Sequence, residues 1–313
     1  MPSVKEHPAS ERSGPALKSV TRDAHQRRID RAVALIEQAI ARGEEPPELH
    51  RLAEAASFSP FHFHRVYRAM TGETTGQTVA RLRLLQGLRL LASAERSITE
   101  AALAVGYQTP QAFTRAFRQS VGGTPSELRA EPERLWREIE RLSLPAESPS
   151  EESPPLRVEV VSVDPFQVLA LRVIGAYREQ NDGFGRLFGW AAERGLLDTL
   201  SGLYGVPWDD RRDVPPQACA FDCMIALGAP VQPDAGDGLH TVRLGGGRYA
   251  RVRHVGAFDG LEALTDALLA RWLPDSGESL RDAPLHHEYL DDPDEVPEPL
   301  LRTDIYLPLQ DRD

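Results

Sequence analysis

Cysteine is scarce: of 313 residues, only Cys219 and Cys223 are cysteine. A disulfide framework is therefore excluded. Two thiols four residues apart, without nearby histidines, also make a poor zinc site, and they read as plain buried thiols. Long apolar runs are missing. No stretch approaches the ~18 residues that cross a bilayer, and none near the N-terminus resembles a secretory signal, so the expectation is a cytoplasmic protein without a membrane partner. Lysine is nearly absent. Of 36 basic residues only Lys5 and Lys18 are lysine, which leaves basic contacts to arginine, whose planar fork suits phosphate and guanine.

The net charge of −11 hides a split. Residues 1–145 carry 21 Lys+Arg against 17 Asp+Glu, and residues 146–313 carry 15 against 30. Net acidity argues against nucleic acid as a partner of the whole chain, while the basic first half leaves it open. The segment 145–155, PAESPSEESPP, reads as a linker between two domains. Residues 1–20, polar and punctuated by Pro2, Pro8 and Pro15, read as a disordered arm. Residues 21–144 repeat their apolar positions at three and four, so an all-α domain is expected. From 156 to 313 the pattern alternates. Strands are expected at Leu156–Val163, Phe166–Ile174, Ala218–Leu227, Arg248–Val255, His286–Leu290 and Thr303–Leu307, with helices near 181–195 and 260–273, which makes this half α+β.

The helical half contains a repeat. Ser59-Pro60 supplies an N-cap and a first-turn proline. On the helix that follows, Phe63, Val66, Tyr67 and Met70 form one apolar face, and Phe61, His64, Arg65 and Arg68 form another face. Fifty residues later Thr109-Pro110 repeats the cap. Phe113, Ala116 and Phe117 then repeat the core face, and Gln111, Thr114, Arg115 and Arg118 the outer one. The preceding helices match at an offset of 49, where Leu49, Leu52, Ala53, Ala56 and Phe58 become Ile98, Ala101, Ala102, Val105 and Tyr107. The second copy thus has one extra residue in its turn, beside Gly106. Each copy, about 49–70 and 98–121, has the helix-turn-helix pattern, and a helix over Thr75–Ser93 joins them. A helical bundle with solvated arginines is the plain alternative. Duplication favours a reader of two successive major grooves, whose centres lie about 34 Å apart.

This part resembles the arabinose-regulator (AraC) family of bacterial transcription factors over about residues 25–130. The second copy carries the resemblance most specifically: Ala102, Gly106 and Tyr107, then Phe113, Arg115, Phe117 and Arg118, then Gly122, Thr124, Pro125, Leu128 and Arg129. The resemblance implies one unit with two helix-turn-helices that bends DNA or settles on curved DNA, with RNA polymerase as a further partner. Two departures stand out. Thr75 sits where proline is expected in the first copy, and Pro110 has no donor at a position often used for base contact. Side-chain chemistry assigns candidate DNA contacts to Phe61, His64, Arg65, Arg68, Thr109, Gln111, Thr114, Arg115 and Arg118. Arg65 and Arg115 suit guanine, Gln111 suits adenine, Phe61 suits a thymine methyl or a sugar, and Arg68 and Arg118 suit phosphates.

The second half is also duplicated. Arg172-Val173-Ile174-Gly175-Ala176-Tyr177 matches Arg253-His254-Val255-Gly256-Ala257-Phe258, and the helix after each ends near a tryptophan, Trp190 or Trp272. Two such halves suggest a pseudo-twofold with a ligand cleft. Over about 156–309 this half resembles the GyrI-like effector-binding domain. The segments that carry the resemblance include Val168–Tyr177, Phe184–Trp190, Gly205 with Asp209-Asp210, Phe221-Asp222-Cys223, Gly246–Ala250, Trp272-Leu273-Pro274, Glu288-Tyr289 and Tyr306-Leu307-Pro308. The resemblance implies sensing of a small molecule, often aromatic or cationic, with an acidic residue in an aromatic-lined pocket, here Glu288. Independently of the resemblance, a carboxylate within apolar walls seeks a counter-charge, and aromatic faces attract cations. Tyr177, Phe184, Trp190, Tyr204 and Trp272 are candidates for the lining. His286-His287 lacks a third metal ligand, and Gly245-Gly246-Gly247 reads as a hairpin turn. No metal or cofactor is expected.

A one-component transcription regulator is the leading expectation, and the chain is not expected to be an enzyme. One alternative is a GyrI-like hydrolase of a reactive small molecule, with Glu288 as base and Tyr177 or Tyr289 as acid. The other is a module that binds and inhibits a macromolecule.

Overall fold

The structure is a computed structural model that describes residues 4–6, 15–93, 96–144, 156–212, 214–234 and 236–311, with side chains from Arg22 onward. The chain divides into two compact units, one within Asp23–Glu151 and one comprising Met1–Arg22 and Glu152–Asp313. Among the described residues, no helix is long and apolar enough to cross a membrane.

The first unit is helical throughout. Helix α1 (Pro15–Arg42) leads into α2 (Leu49–Ala55) and α3 (Pro60–Thr71). Helix α4 (Thr75–Ala92) then connects to α5 (Ile98–Ala104) and α6 (Pro110–Val121), and α7 (Pro125–Ala130) and α8 (Pro132–Ser143) close the unit. Reciprocal capping boxes start α4 (Thr74 with Gln77), α5 (Ser97 with Glu100) and α7 (Thr124 with Glu127). Each satisfies two backbone donors that a helix end would otherwise leave open. Ser59 takes the N-cap position of α3, but its hydroxyl makes no capping bond. Phe63, Val66 and Tyr67 of α3, and Phe113 and Phe117 of α6, are fully buried, as their spacing predicts.

The two turns begin with the same closure, and the second is one residue longer. The Phe58 amide donates to the Ala53 carbonyl (2.9 Å), and the Tyr107 amide to that of Ala102 (3.0 Å). The residue before each ring lies in the left-handed region, Ser57 at φ 54° and Gly106 at φ 82°. This is the six-to-one closure of a helix C-terminus. Arginines of the preceding helix lie against each turn. Arg28 and Arg31 of α1 donate to Ala56 O and Ala55 O at 2.8 Å, and Arg83 of α4 lies 3.1 Å from where a Gly106 side chain would begin. Gly106→Ala should therefore destabilise the helical unit by about 1–2 kcal/mol, read as a lower denaturant midpoint. A buried network ties α3 to α4 and α8. The Tyr67 hydroxyl donates to Thr78 (2.8 Å), Thr78 donates to Glu73 (3.0 Å), and Arg81 donates to Glu73 (2.8 Å) and to Leu142 O (2.9 Å).

The second unit is one antiparallel sheet with helices. Its strands are β1 (Val4–Glu6), β2 (Val158–Val163), β3 (Phe166–Ile174), β4 (Leu200–Pro207), β5 (Ala220–Leu227), β6 (His240–Leu244), β7 (Gly247–Val255), β8 (His286–Tyr289) and β9 (Arg302–Leu309). They lie in the order β1-β2-β7-β9-β8-β4-β5-β3-β6. Helix α9 (Tyr177–Glu193) follows β3. Helix α10 (Leu261–Ala267) follows β7 and runs through a π-helical stretch, Leu268–Trp272, into α11 (Leu273–Ser276). The duplication is visible in the ladder. Arg172 faces Asp222 across β3 and β5, Arg253 faces Asp304 across β7 and β9, and the halves meet at β4 and β8. Each Arg–Asp pair is doubly hydrogen-bonded.

Three expectations need correction. Residues 1–20 are not wholly an arm. Val4–Glu6 pairs with β2, and Pro15 opens α1. A three-residue edge strand draws its stability from its partner's open backbone groups, which no local pattern reveals. Residues 1–3, 7–14 and the expected linker 145–155 lie outside the described residues. Gly245-Gly246-Gly247 does not turn a hairpin, because β6 pairs with β3 and β7 pairs with β2. The connection instead crosses the one between β2 and β3. The Gly246 amide donates to Val163 O (2.8 Å), and a Cβ on Gly245, at φ 73°, would lie 2.5 Å from Asp164 O. Glycine is required there by close backbone approach as well as by φ. Strands β4 and β6 were not expected. Two glycines and a terminal proline obscure β4, and β6 spans only five residues.

Candidate nucleic-acid interface and effector site

Helix α6 presents the second candidate surface. Thr109 caps it, accepting from the Ala112 amide (3.2 Å). Gln111, Arg115 and Arg118 are exposed, and Thr114 is half-buried. With Pro110 these four residues line a shallow depression of about 390 Å³. On the inner side, Phe113 packs on Tyr107 (5.2 Å between centroids) and on Phe117 (4.4 Å), which fixes the outward direction of the polar face. Arg134 and Arg141 of α8 donate to Val121 O and Ser120 O at the end of α6 (3.1 and 3.0 Å).

The first surface is not equally open, contrary to the symmetry of the sequence. Arg65 is only 4% exposed and His62 is buried, while Phe61, His64 and Arg68 are half-buried. The face carries Phe61, His62 and His64 where α6 has Gln111, Ala112 and Thr114.

In the sheet unit, the candidate ligand residues divide between the helices and the two strands that carry Tyr204 and Glu288. Helix α9 covers one face. There Trp190 packs in the core with Leu171, Phe221 and Ile225. Its indole donates to Asp237 (2.8 Å), and Arg194 lies over the ring. Phe184 meets Tyr289 edge-on (5.9 Å), and Tyr177, 43% exposed, lies under the Arg211 guanidinium. Trp272 is half-buried at the end of the π-helical stretch. These four are not brought to Glu288.

Tyr204 and Glu288 do meet, on the opposite face. They pair across β4 and β8, and the Tyr204 hydroxyl donates to one Glu288 oxygen (3.2 Å). The sequence reading missed the rest of the site. Tyr306 of β9 donates to the other oxygen (2.7 Å). His286 stacks on Tyr306 (4.8 Å) and meets Tyr249 edge-on (5.3 Å), and Phe166 packs on Tyr204 (5.2 Å). The Tyr306 segment was legible as a motif, but its neighbour across the sheet was not. Burial and the Glu288 carboxylate push the Tyr204 and Tyr306 hydroxyls up, so both stay protonated donors. His286 and His287 point to opposite faces and cannot chelate together. Among the described residues, no group of three or more His, Cys, Asp or Glu is placed to hold a metal ion.

The two halves differ where it matters. By ladder register, Val206, Met224 and Ala170 occupy the positions that Glu288, Tyr306 and Arg251 hold in the other half. One half is thus aliphatic at these three positions and contributes only the Tyr204 hydroxyl, while the other carries the carboxylate, Tyr306 and Arg251.

Burial pushes the His286 imidazole down to about 3. The unfolded chain then binds a proton that the folded one refuses, so stability falls as pH drops from about 6.5 toward 3. His286→Phe, which preserves the stack, should flatten that part of the stability–pH curve measured by denaturant titration.

Residues 157–310 match the family described as a GyrI-like small molecule binding domain, and residues 52–131 match a helix-turn-helix domain. The chain is similar to "Probable transcriptional regulator YgiV" of Escherichia coli K12, with 39% identity over 121 residues that cover 38% of this chain and 75% of that protein. It is also similar to "Regulatory protein SoxS" of the same organism, with 31% identity over 106 residues that cover 34% of this chain and 96% of that protein. Among solved structures, an AraC-type transcriptional regulator from Chromobacterium violaceum matches 34% of this chain and 96% of its own, with 27% identity and a TM-score of 0.31. The duplicated helical unit and the duplicated sheet unit thus each have their counterpart among regulators and small-molecule sensors, and the chain belongs to the AraC family of transcriptional regulators, with a GyrI-like domain as its C-terminal half.

Proposed function

We propose that the helical unit reads two consecutive major grooves of double-stranded DNA, and that a small aromatic cation seated at Glu288 modulates the binding. Gln111, Thr114 and Arg115 face base edges, and Arg118 and Thr109 hold phosphate. From the first copy, Phe61, His64 and Arg65 face bases and Arg68 holds phosphate, which requires the Arg65 guanidinium to be uncovered. The observation that carries this reading is the outward polar face of α6, which has two exposed arginines and a glutamine over a rigid aromatic base.

The effector assignment is supported by Glu288. Two protonated phenols hold it among rings, where a cation gains both a counter-charge and aromatic faces. The same arrangement supports binding without turnover, because both hydroxyls are already committed as donors to the carboxylate. The reading places the protein in the cytoplasm, with RNA polymerase as a further partner at the promoter.

Coupling is the test. Fluorescence anisotropy on the full chain, with DNA selected from a random pool, should show affinity changing at least ~3-fold on saturation with tetraphenylphosphonium. DNA should change the affinity for the cation by the same factor. Equal DNA affinity with and without bound cation would overturn the modulation.

A further inference from the structure

We propose that Arg251 is a positioning residue that carries the state of Glu288 to β2, the strand that follows segment 145–155. The inference rests on the assignment of Glu288 as the effector contact. Four side chains on neighbouring strands form a line. Glu288 on β8 accepts from Tyr306 on β9 (2.7 Å). Tyr306 is the cross-strand partner of Arg251 on β7 and shares a hydrogen bond with it. Arg251 in turn is the cross-strand partner of Glu159 on β2 and donates to it through Nε (3.1 Å) and Nη2. No apolar contact interrupts the line from the carboxylate to the strand.

The fold does not demand this line. At the equivalent places the other half carries the aliphatic Val206, Met224 and Ala170, packed in one cluster with Tyr204. The polar line occurs only in the half that carries the carboxylate. A cation bound at Glu288 competes with the Tyr306 hydroxyl for the same oxygens. Once released, Tyr306 changes how the Arg251 guanidinium is shared, and with it the grip on Glu159. Strand β2 is a sensitive receiver, because its outer neighbour is only the three-residue β1.

Hydrogen exchange of the β2 amides tests this on the full chain without any ligand. Glu288→Gln and Arg251→Met should each speed exchange of residues 158–163 about fivefold, and the double variant should exchange no faster than either single one. Glu159→Gln alters the half-exposed end of the line, where misfolding is not a concern, and should give the same pattern with Glu288→Gln. Arg172→Met, in the other half, should combine multiplicatively with Glu288→Gln. Multiplicative effects for Arg251 or Glu159 would overturn the proposal and leave the ligand assignment standing. Loss of cation binding to the wild type with the coupling intact would strike the ligand assignment alone.

Discussion

Glu288→Gln should weaken tetraphenylphosphonium binding about a hundredfold, roughly 2.7 kcal/mol, while a neutral aromatic of similar size loses less than ~3-fold. Glutamine keeps a carbonyl oxygen that can accept from Tyr204 or Tyr306, so the substitution removes charge with little change of shape. The size of the effect comes from the surroundings. Tyr204 and Tyr306 are nearly fully buried, and Phe166, Tyr249 and His286 complete the apolar wall. A cation there has given up water, and an unpaired one costs several kcal/mol. Isothermal titration on the variant pair measures the difference. Equal losses for charged and neutral probes would show that Glu288 shapes the site without supplying its charge preference.

Arg115→Ala should cost about 1–3 kcal/mol of DNA affinity and relax the preference at a single base pair. Arg115 is exposed at the centre of the α6 face, where two parallel bonds to guanine O6 and N7 are within the chemistry of its fork. Arg118 lies one turn further along. Arg118→Ala should weaken all sequences alike and reduce the slope of log affinity against log salt by about one. Binding to a panel of single-base variants separates the two. A uniform loss for Arg115→Ala would reduce it to a phosphate contact.

Much of this molecule can be read in the order of its residues. The helix-turn-helix repeat was legible because caps, prolines and core aromatics recur at fixed offsets, with Gly106 marking the second turn, whereas the left-handed Ser57 of the first carried no such mark. Arg172 and Arg253 were legible as a repeat, but their aspartate partners were not, since cross-sheet register depends on chain far away in sequence. The same limit applies to the proposed effector site. Glu288 and Tyr204 were candidates on chemical grounds, whereas Tyr306 and Tyr249 join them only because β9 falls beside β8 and β7 beside β9, and His286 shares the Glu288 face of β8. Tyr177 and Phe184 were grouped with Glu288 by composition, but both sit on α9, which packs on the opposite face of the sheet. The covered state of Arg65 was invisible for a related reason, because a repeat predicts equal helices and not equal exposure.

The central claim is that α3 and α6, joined by α4, meet successive grooves of one duplex. Selection of bound DNA from a random pool by the full chain, followed by hydroxyl-radical footprinting, tests it most directly. The account predicts two short conserved blocks with centres about one helical turn apart, protected on the same side of the duplex, and loss of only the α6-contacted block's sequence preference in Arg115→Ala. A single conserved block, with no second protected region a turn away, would contradict it.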